Sequence, residues 1–489
     1  MREGCQIRIL SDDEIEQIHR GALSILWRTG VEVREEQAFD ILKKAGCPTD
    51  GKRIRIPSSL VDEAVRLAPE TFTLYGRDPN FIVTLEGRKV CYEPMIGRLN
   101  IMDLETGNRR RTTLDDVAKL VRLADALEHY TLLHSGAIMP HIEGIPDEVA
   151  HVHGYLTSVK NSSKVIKGVV RGKQKARDCI RMAAAIAGGE EALRRHPNIF
   201  TTCNVISPLE YMVEQTEGLI EYAKMGLPVD IASEPQCGAT SPVTLAGTVV
   251  QQTAEILGMI VIAQLINPGT PVLMGTVAAA MDLRNGMIAL GGVEAALINA
   301  AHAQMARFYQ IPSRGTGSNT ESKLLDMQAG YEKMITLLLP ALAGINMIFY
   351  PGTMDHALTV SLESLLTDHE ICGMIDRIIK GISVTEEKIA LDIIDKVGPG
   401  GHFLNQKHTM KHLREEHFLP QLTDRDSHEL WVEKGKRAIH ERAREEVKRI
   451  LAEHEPLPLD SAVEKELLAI VKEVEKRELG KSFDQGSMT

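Results

Sequence analysis

PVDIASEPQCGATSPVTLAGTVVQQTAEILGMIVIAQLINPGTPVLMGT, residues 228–276, is the stretch whose reading decides the fold. Two short apolar runs, 228–233 and 271–276, flank a helical stretch at about 244–266. Thr240 or Ser241 can cap the helix and Pro242 suits its first turn, while Asn267-Pro268-Gly269 stops it. The flanking runs lack polar alternation, so they read as strands buried on both faces. A helix between two such strands is the crossover of a parallel pair. The most apolar part, Ile256 to Ile266, contains Gln264 and falls short of the roughly 20 residues that span a bilayer, so it reads as a buried helix.

The same unit recurs on either side. Strand cores read at 89–93, 132–139, 164–170, 199–206, 311–317 and 346–351, and helices near 114–128, 145–160, 173–187, 209–225, 285–309, 326–343 and 360–379. Eight strand-then-helix units predict an α/β fold closed as a (β/α)8 TIM barrel over 89–380, rather than an open doubly wound sheet. Residues 1–88 read as an N-terminal helical segment with a hairpin. There Ser11 and Glu14 form a capping box, and β-favouring TFTLY and FIVTL flank Gly76 to Asn80. Residues 381–489 read as a charged, C-terminal helical extension packed on the barrel, broken at Val397 to Phe403, with disorder expected at Phe483 to Thr489.

Composition excludes several classes. The net charge of −11 offers no excess of Lys and Arg for nucleic acid. Seven cysteines, an odd number without a CxxC, argue against a disulfide scaffold and for a reducing cytoplasm. The acidic N-terminus has no signal-peptide core, so neither export nor a membrane is expected.

In such a barrel the chemistry sits at the C-terminal strand ends. Those ends select Tyr92, Glu93, His134, Arg171, Asn204, Ser207, Glu234, Gln236, Thr276, Arg314, Ser318, Asn319, Tyr350, Asp355 and His356. Tyr92 and Tyr350 read equally as a cation cage or as packing in the mouth. Glu234 reads as a ligand anchor or base, against a hydrogen-bonded structural carboxylate. His356 has the same two readings, and His134 reads as a core histidine. No metal signature is present: His151 and His153 are two apart on a helix and diverge, and no HExxH occurs. Arg314-Gly-Thr-Gly-Ser-Asn-Thr lacks the third glycine of a dinucleotide loop, and neither GxxxxGK[ST] nor GxSxG is found.

Several segments resemble the trimethylamine methyltransferase family. They are Gly238-Ala-Thr-Ser-Pro-Val-Thr-Leu-Ala-Gly247, Gln264-Leu-Ile-Asn-Pro-Gly269, Asp326-Met-Gln-Ala-Gly-Tyr-Glu-Lys333, Val397-Gly-Pro-Gly-Gly-His-Phe403 and Lys407-His-Thr-Met-Lys-His412, with Asp103 to Gly107 and Ile206 to Leu209 beside them. The resemblance implies a TIM barrel that moves a methyl group from an amine to the cobalt of a separate corrinoid protein. No cofactor is then held permanently: the cobalamin-type corrinoid comes with the partner, and no metal belongs to this chain. The trimethylamine enzymes carry pyrrolysine, whose place is expected near Tyr350 to Asp355. This sequence shows standard residues only, and so resembles the branch acting on quaternary amines.

Leaving-group chemistry supports that branch. Neutral trimethylamine would expel a poor anionic leaving group, whereas a quaternary ammonium leaves as a neutral amine. The expected substrate is a small zwitterionic quaternary amine, first glycine betaine, then proline betaine, carnitine or γ-butyrobetaine. Tyr92, Phe349 and Tyr350 are expected to face its ammonium, with Glu234 near, and Arg314, Asn319 or His356 to hold its carboxylate. Glu234 and His356 are the residues expected to orient it. A homo-oligomer is expected. The alternatives are a non-catalytic quaternary-amine-binding barrel, or a different, metal-dependent barrel enzyme.

Overall fold

In a computed structural model, which describes residues 5–139 and 141–480, the chain forms a (β/α)8 barrel with helical additions. The residues read above as disordered, Phe483 to Thr489, lie outside the described residues. The barrel strands are β1 (Cys91–Glu93), β2 (Leu132–Leu133), β3 (Val165–Lys167), β4 (Ile199–Val205), β5 (Val229–Ser233), β6 (Val272–Thr276), β7 (Ser313–Thr316) and β8 (Met347–Phe349). They pair in chain order, all parallel, with β8 against β1. The ring closes between β1 and β2 through a parallel Tyr92–Tyr130 bridge, the Thr131 amide donating to the Tyr92 carbonyl at 3.2 Å.

The crossovers are α1 (Leu114–Ala126), α2 (Ala150–Asn161), α3 (Lys173–Ala187), α4 (Val213–Met225), α5 (Leu245–Ile266), α6 (Val293–Phe308), α7 (Met327–Ala343) and α8 (Leu362–Lys380). α5 is longer than its apolar run alone: its 22 residues have the length and apolarity to cross a membrane. In this fold 83% of that apolar window is buried, between the barrel and the N-terminal helices. Asp12–Ser24 begins at the expected capping box, with the Ser11 amide donating to Glu14 at 2.7 Å.

The two ends of the barrel differ in chemistry. The hairpin Phe72–Tyr75/Ile82–Leu85 places Phe72, Leu74, Val83 and Leu85 in one apolar cluster with Cys91, Leu132, Val165, Leu273 and Met347. Those last five stand at or near strand N-termini, so the hairpin plugs that end with apolar side chains. Further along, the interior is charged: Lys167 pairs with Glu93 at 2.6 Å and Arg314 with Asp230 at 3.4 Å. Gly275 makes room for this layer, since a Cβ there would lie 2.2 Å from Asp230 Oδ1.

Loops at the other end carry small sheets that sequence periodicity did not show. The β1 loop forms Asn100–Met102 and Arg109–Arg111, which pair with Thr353–Met354/Thr359–Val360 of the β8 loop. Gln236–Cys237 of the β5 loop pairs with Ala279–Asp282 and Met287–Ala289 of the β6 loop. The helix expected from 285 therefore starts at 293, because 287–289 is a strand. Those expected from 145 and 209 start at 150 and 213, after a turn and the Glu210–Tyr211 strand. Of the C-terminal helices, Ile439–Glu453 packs on α8 and α1, and Ser461–Leu479 on α3 and α2.

Candidate active site

A cavity of about 260 Å³ opens at the C-terminal strand ends. Its wall includes Met95, Arg98, His134, Ile138, Lys167, Arg171, Thr202, Asn204, Gln215, Glu234, Arg314, Phe349 and Tyr350. A larger hollow, about 420 Å³, lies farther out, between the loops after β1, β7 and β8 and Arg444 and His440 of the Ile439–Glu453 helix.

Glu234 follows β5 directly and projects into the cavity. It is open to the cavity, and its carboxylate makes no ion pair or hydrogen bond with any described residue. Surrounding protein raises its pKa by desolvation, while Arg314 and then Arg98 pull it down. It is the one acidic residue in the described wall, which also holds four cationic ones: Arg98, Lys167, Arg171 and Arg314.

The layer beneath fixes two of those cations. Lys167, 1% exposed, is held by Glu93, 0% exposed. Burial pushes the Glu93 carboxyl up, and Lys167 and then Arg314 pull it back. Arg314 is held by Asp230, which accepts a 2.8 Å bond from the Thr202 hydroxyl. Lys167 Nζ and the Arg314 guanidinium sit over Phe349, 4.6 and 4.4 Å from the ring centroid, and Arg98 lies 5.1 Å from that of Tyr350. Phe349 and Tyr350 stack on each other at 4.4 Å, and His134 stacks on Phe349 at 5.4 Å.

The structure thus brings Glu234, Arg314, Phe349 and Tyr350 to the cavity and leaves three expected residues out. Tyr92 faces outward, its hydroxyl donating to Asp376 of α8 at 2.9 Å. Along a barrel strand alternate residues point to opposite faces, so Glu93 takes the interior and Tyr92 cannot. His356 lies in the β8 loop, where Nδ1 donates to the Ile288 carbonyl at 2.9 Å and ties that loop to the β6 hairpin. Asn319 is 1% exposed, its amide N–H donating to Thr336 Oγ1, and its side chain is not in the cavity wall. The aromatic pair is present, and the protein's own cations already lie over it.

Of the other strand-end candidates, Arg171 and Asn204 line the cavity. Ser207 donates to Glu255, Thr276 to Gln252, and Asp355 pairs with Arg109 and Lys323. His134 is buried like a core histidine, yet its ring forms part of the wall. The sequence reading missed Arg98 and Lys167. A lysine inside the apolar run 164–170 was a usable signal, because a charge buried in a strand needs a partner. His151 and His153 pair separately, with Asp178 and Glu475. Among the described residues no group of three or more His, Cys, Asp or Glu is arranged to hold a metal.

The profile of the trimethylamine methyltransferase family matches residues 1–480. The chain is 38% identical to a glycine betaine methyltransferase of Desulfitobacterium hafniense strain Y51 over 464 residues, covering 95% of this chain and 96% of the relative. It is 36% identical to a trimethylamine methyltransferase of D. hafniense strain DSM 10664 / DCB-2, covering 97% and 95%. The crystal structure of the Methanosarcina barkeri monomethylamine methyltransferase shares the fold, with a TM-score of 0.52 at 12% identity, covering 92% of this chain and 89% of that one.

Proposed function

This chain belongs to the trimethylamine methyltransferase family, and from that premise we propose that it takes a methyl group from a small zwitterionic quaternary amine, glycine betaine first, and passes it to a corrinoid carried by a separate protein. The observation that carries the reading is the cavity-facing, unpaired Glu234 among Arg98, Lys167, Arg171 and Arg314. One carboxylate suits one ammonium, and the surplus of cationic side chains suits a substrate carboxylate. Proline betaine, carnitine and γ-butyrobetaine share both groups.

Reduced corrinoid supplies a nucleophile strong enough to take a methyl group without help from a protein base. The chain's own work is then to bind, orient and exclude water. Glu234 attracts the ammonium. Arg98 and Arg171, which the interior carboxylates do not hold as they hold Arg314 and Lys167, are placed to receive the carboxylate. As the methyl leaves, the nitrogen loses its charge and its attraction to Glu234. A single carboxylate therefore limits how far the ground state is held back, and lets the neutral amine depart.

A large acceptor fits the surroundings of the mouth. Loops and helix starts on this side expose Val243, Leu283, Val293, Leu324, Met327 and Tyr331, with Met327 85% exposed. Apolar side chains left exposed around the mouth offer a partner protein a surface to dock on.

Protonation of Glu234 gives a direct test. Its raised pKa means the carboxylate is lost as pH falls through a value above the ordinary glutamate range. Calorimetric titration with glycine betaine is expected to show affinity constant around neutral pH and falling on mild acidification. Affinity unchanged until ordinary glutamates protonate would remove Glu234 from the ammonium site.

A further inference from the structure

We propose that the buried Lys333–Asp368 pair is a positioning device that holds the turns after β7 and β8 in the conformation that presents Phe349 and Tyr350 to the cavity. Lys333 ends the motif Asp326 to Lys333, which the site chemistry leaves without a role. Neither residue lines the cavity.

Lys333, 2% exposed, stands on α7. Its Nζ lies 3.1 Å from the Ser318 carbonyl, 2.7 Å from the Thr353 carbonyl, 3.0 Å from Ser364 Oγ and 2.8 Å from Asp368 Oδ2. The same Asp368 oxygen accepts the Gly352 amide at 2.6 Å. Ser318 and Thr353 belong to the loops after β7 and β8, so one ammonium joins both loops to α7 and, through Asp368, to α8.

Those loops need holding. Ser318 has φ of 57°, Tyr350 of 95° and Gly352 of 95°. A non-glycine residue in the left-handed region costs on the order of 1–3 kcal/mol and persists only where surrounding contacts enforce it. Around Tyr350 those contacts are the Thr353 amide to the Tyr350 carbonyl at 3.2 Å, the Met95 amide to the Pro351 carbonyl at 2.9 Å, and the Lys333–Asp368 cradle. The ring so placed is the one that stacks on Phe349 and meets Arg98. A buried ion pair is a poor source of stability as such. This one supplies what apolar side chains cannot: donors for two loop carbonyls and an acceptor for a loop amide.

The inference rests on the reading of the cavity as the amine site. The test is glycine betaine affinity by calorimetry on folded protein, beside melting temperature, for wild type, Lys333→Met/Asp368→Leu, and Lys333→Gln/Asp368→Asn, which removes both charges and keeps hydrogen-bonding amides. The apolar variant is expected to raise Kd roughly tenfold, about 1.4 kcal/mol. The amide variant should raise it less, and it carries the comparison if the apolar variant does not fold. A purely structural pair would lower the melting temperature and leave the Kd of folded protein unchanged. Wild-type affinity in the folded variants would therefore overturn the inference alone. Failure of wild type to bind glycine betaine would overturn the substrate reading and this inference with it.

Discussion

Replacement of Lys167 by Met is expected to cost the fold about 3–5 kcal/mol, the usual penalty for removing one partner of a buried ion pair. Lys167 and Glu93 lie 2.6 Å apart at 1% and 0% exposure, so losing the ammonium leaves a buried carboxylate without its partner. The Arg314 charge softens the loss but is engaged with Asp230. The companion variant Lys167→Met/Glu93→Leu, which removes both charges, should recover most of the stability, because apolar replacement of a whole buried pair is often neutral or better. Chemical denaturation read by circular dichroism gives both values. A Lys167→Met protein as stable as wild type would show that Glu93 is not held ionised by this pair.

Glu234→Gln should act in the opposite way, on function and not on stability. Gln is nearly isosteric, and Glu234 makes no hydrogen bond or ion pair with a described residue, so the melting temperature should change little. The apparent KM for glycine betaine should rise on the order of 100-fold, about 2.7 kcal/mol, the scale of a charge-assisted contact, with kcat not reduced because the attraction acts on the ammonium before transfer. Tetramethylammonium, which keeps the cation and lacks the carboxylate, should lose a similar factor. Steady-state kinetics with both amines checks this, and an unimpaired variant would place the ammonium elsewhere.

The barrel was legible because its strands and crossover helices differ in period and length. All eight strands fall inside the runs read from sequence, and α3 spans 173–187 as read. The mouth was harder. Thr353–Met354 and Met287–Ala289 are strands only because distant loops pair with them, so a window containing Met287 continues the helical pattern that begins at Val293. The site residues divide along the same line. Glu234 and Arg314 follow from strand position and alternation. Tyr92 fails by one residue, because alternation gives the interior to Glu93. Arg98 follows β1 by five residues, and only the fold of that loop brings it over Tyr350. The cationic cover of Phe349 depends on Lys167 and Arg314 from two different strands and has no local signature.

The most direct test of the central claim is an amine panel. Enzyme and reduced corrinoid are mixed with glycine betaine, proline betaine, carnitine, γ-butyrobetaine, tetramethylammonium and trimethylamine, and the demethylated amine is measured by mass spectrometry. Rapid demethylation of one of the zwitterions, slower reaction of tetramethylammonium and none of trimethylamine is the predicted result. Equal rates with trimethylamine and glycine betaine, or no demethylation of any quaternary amine, would contradict the account.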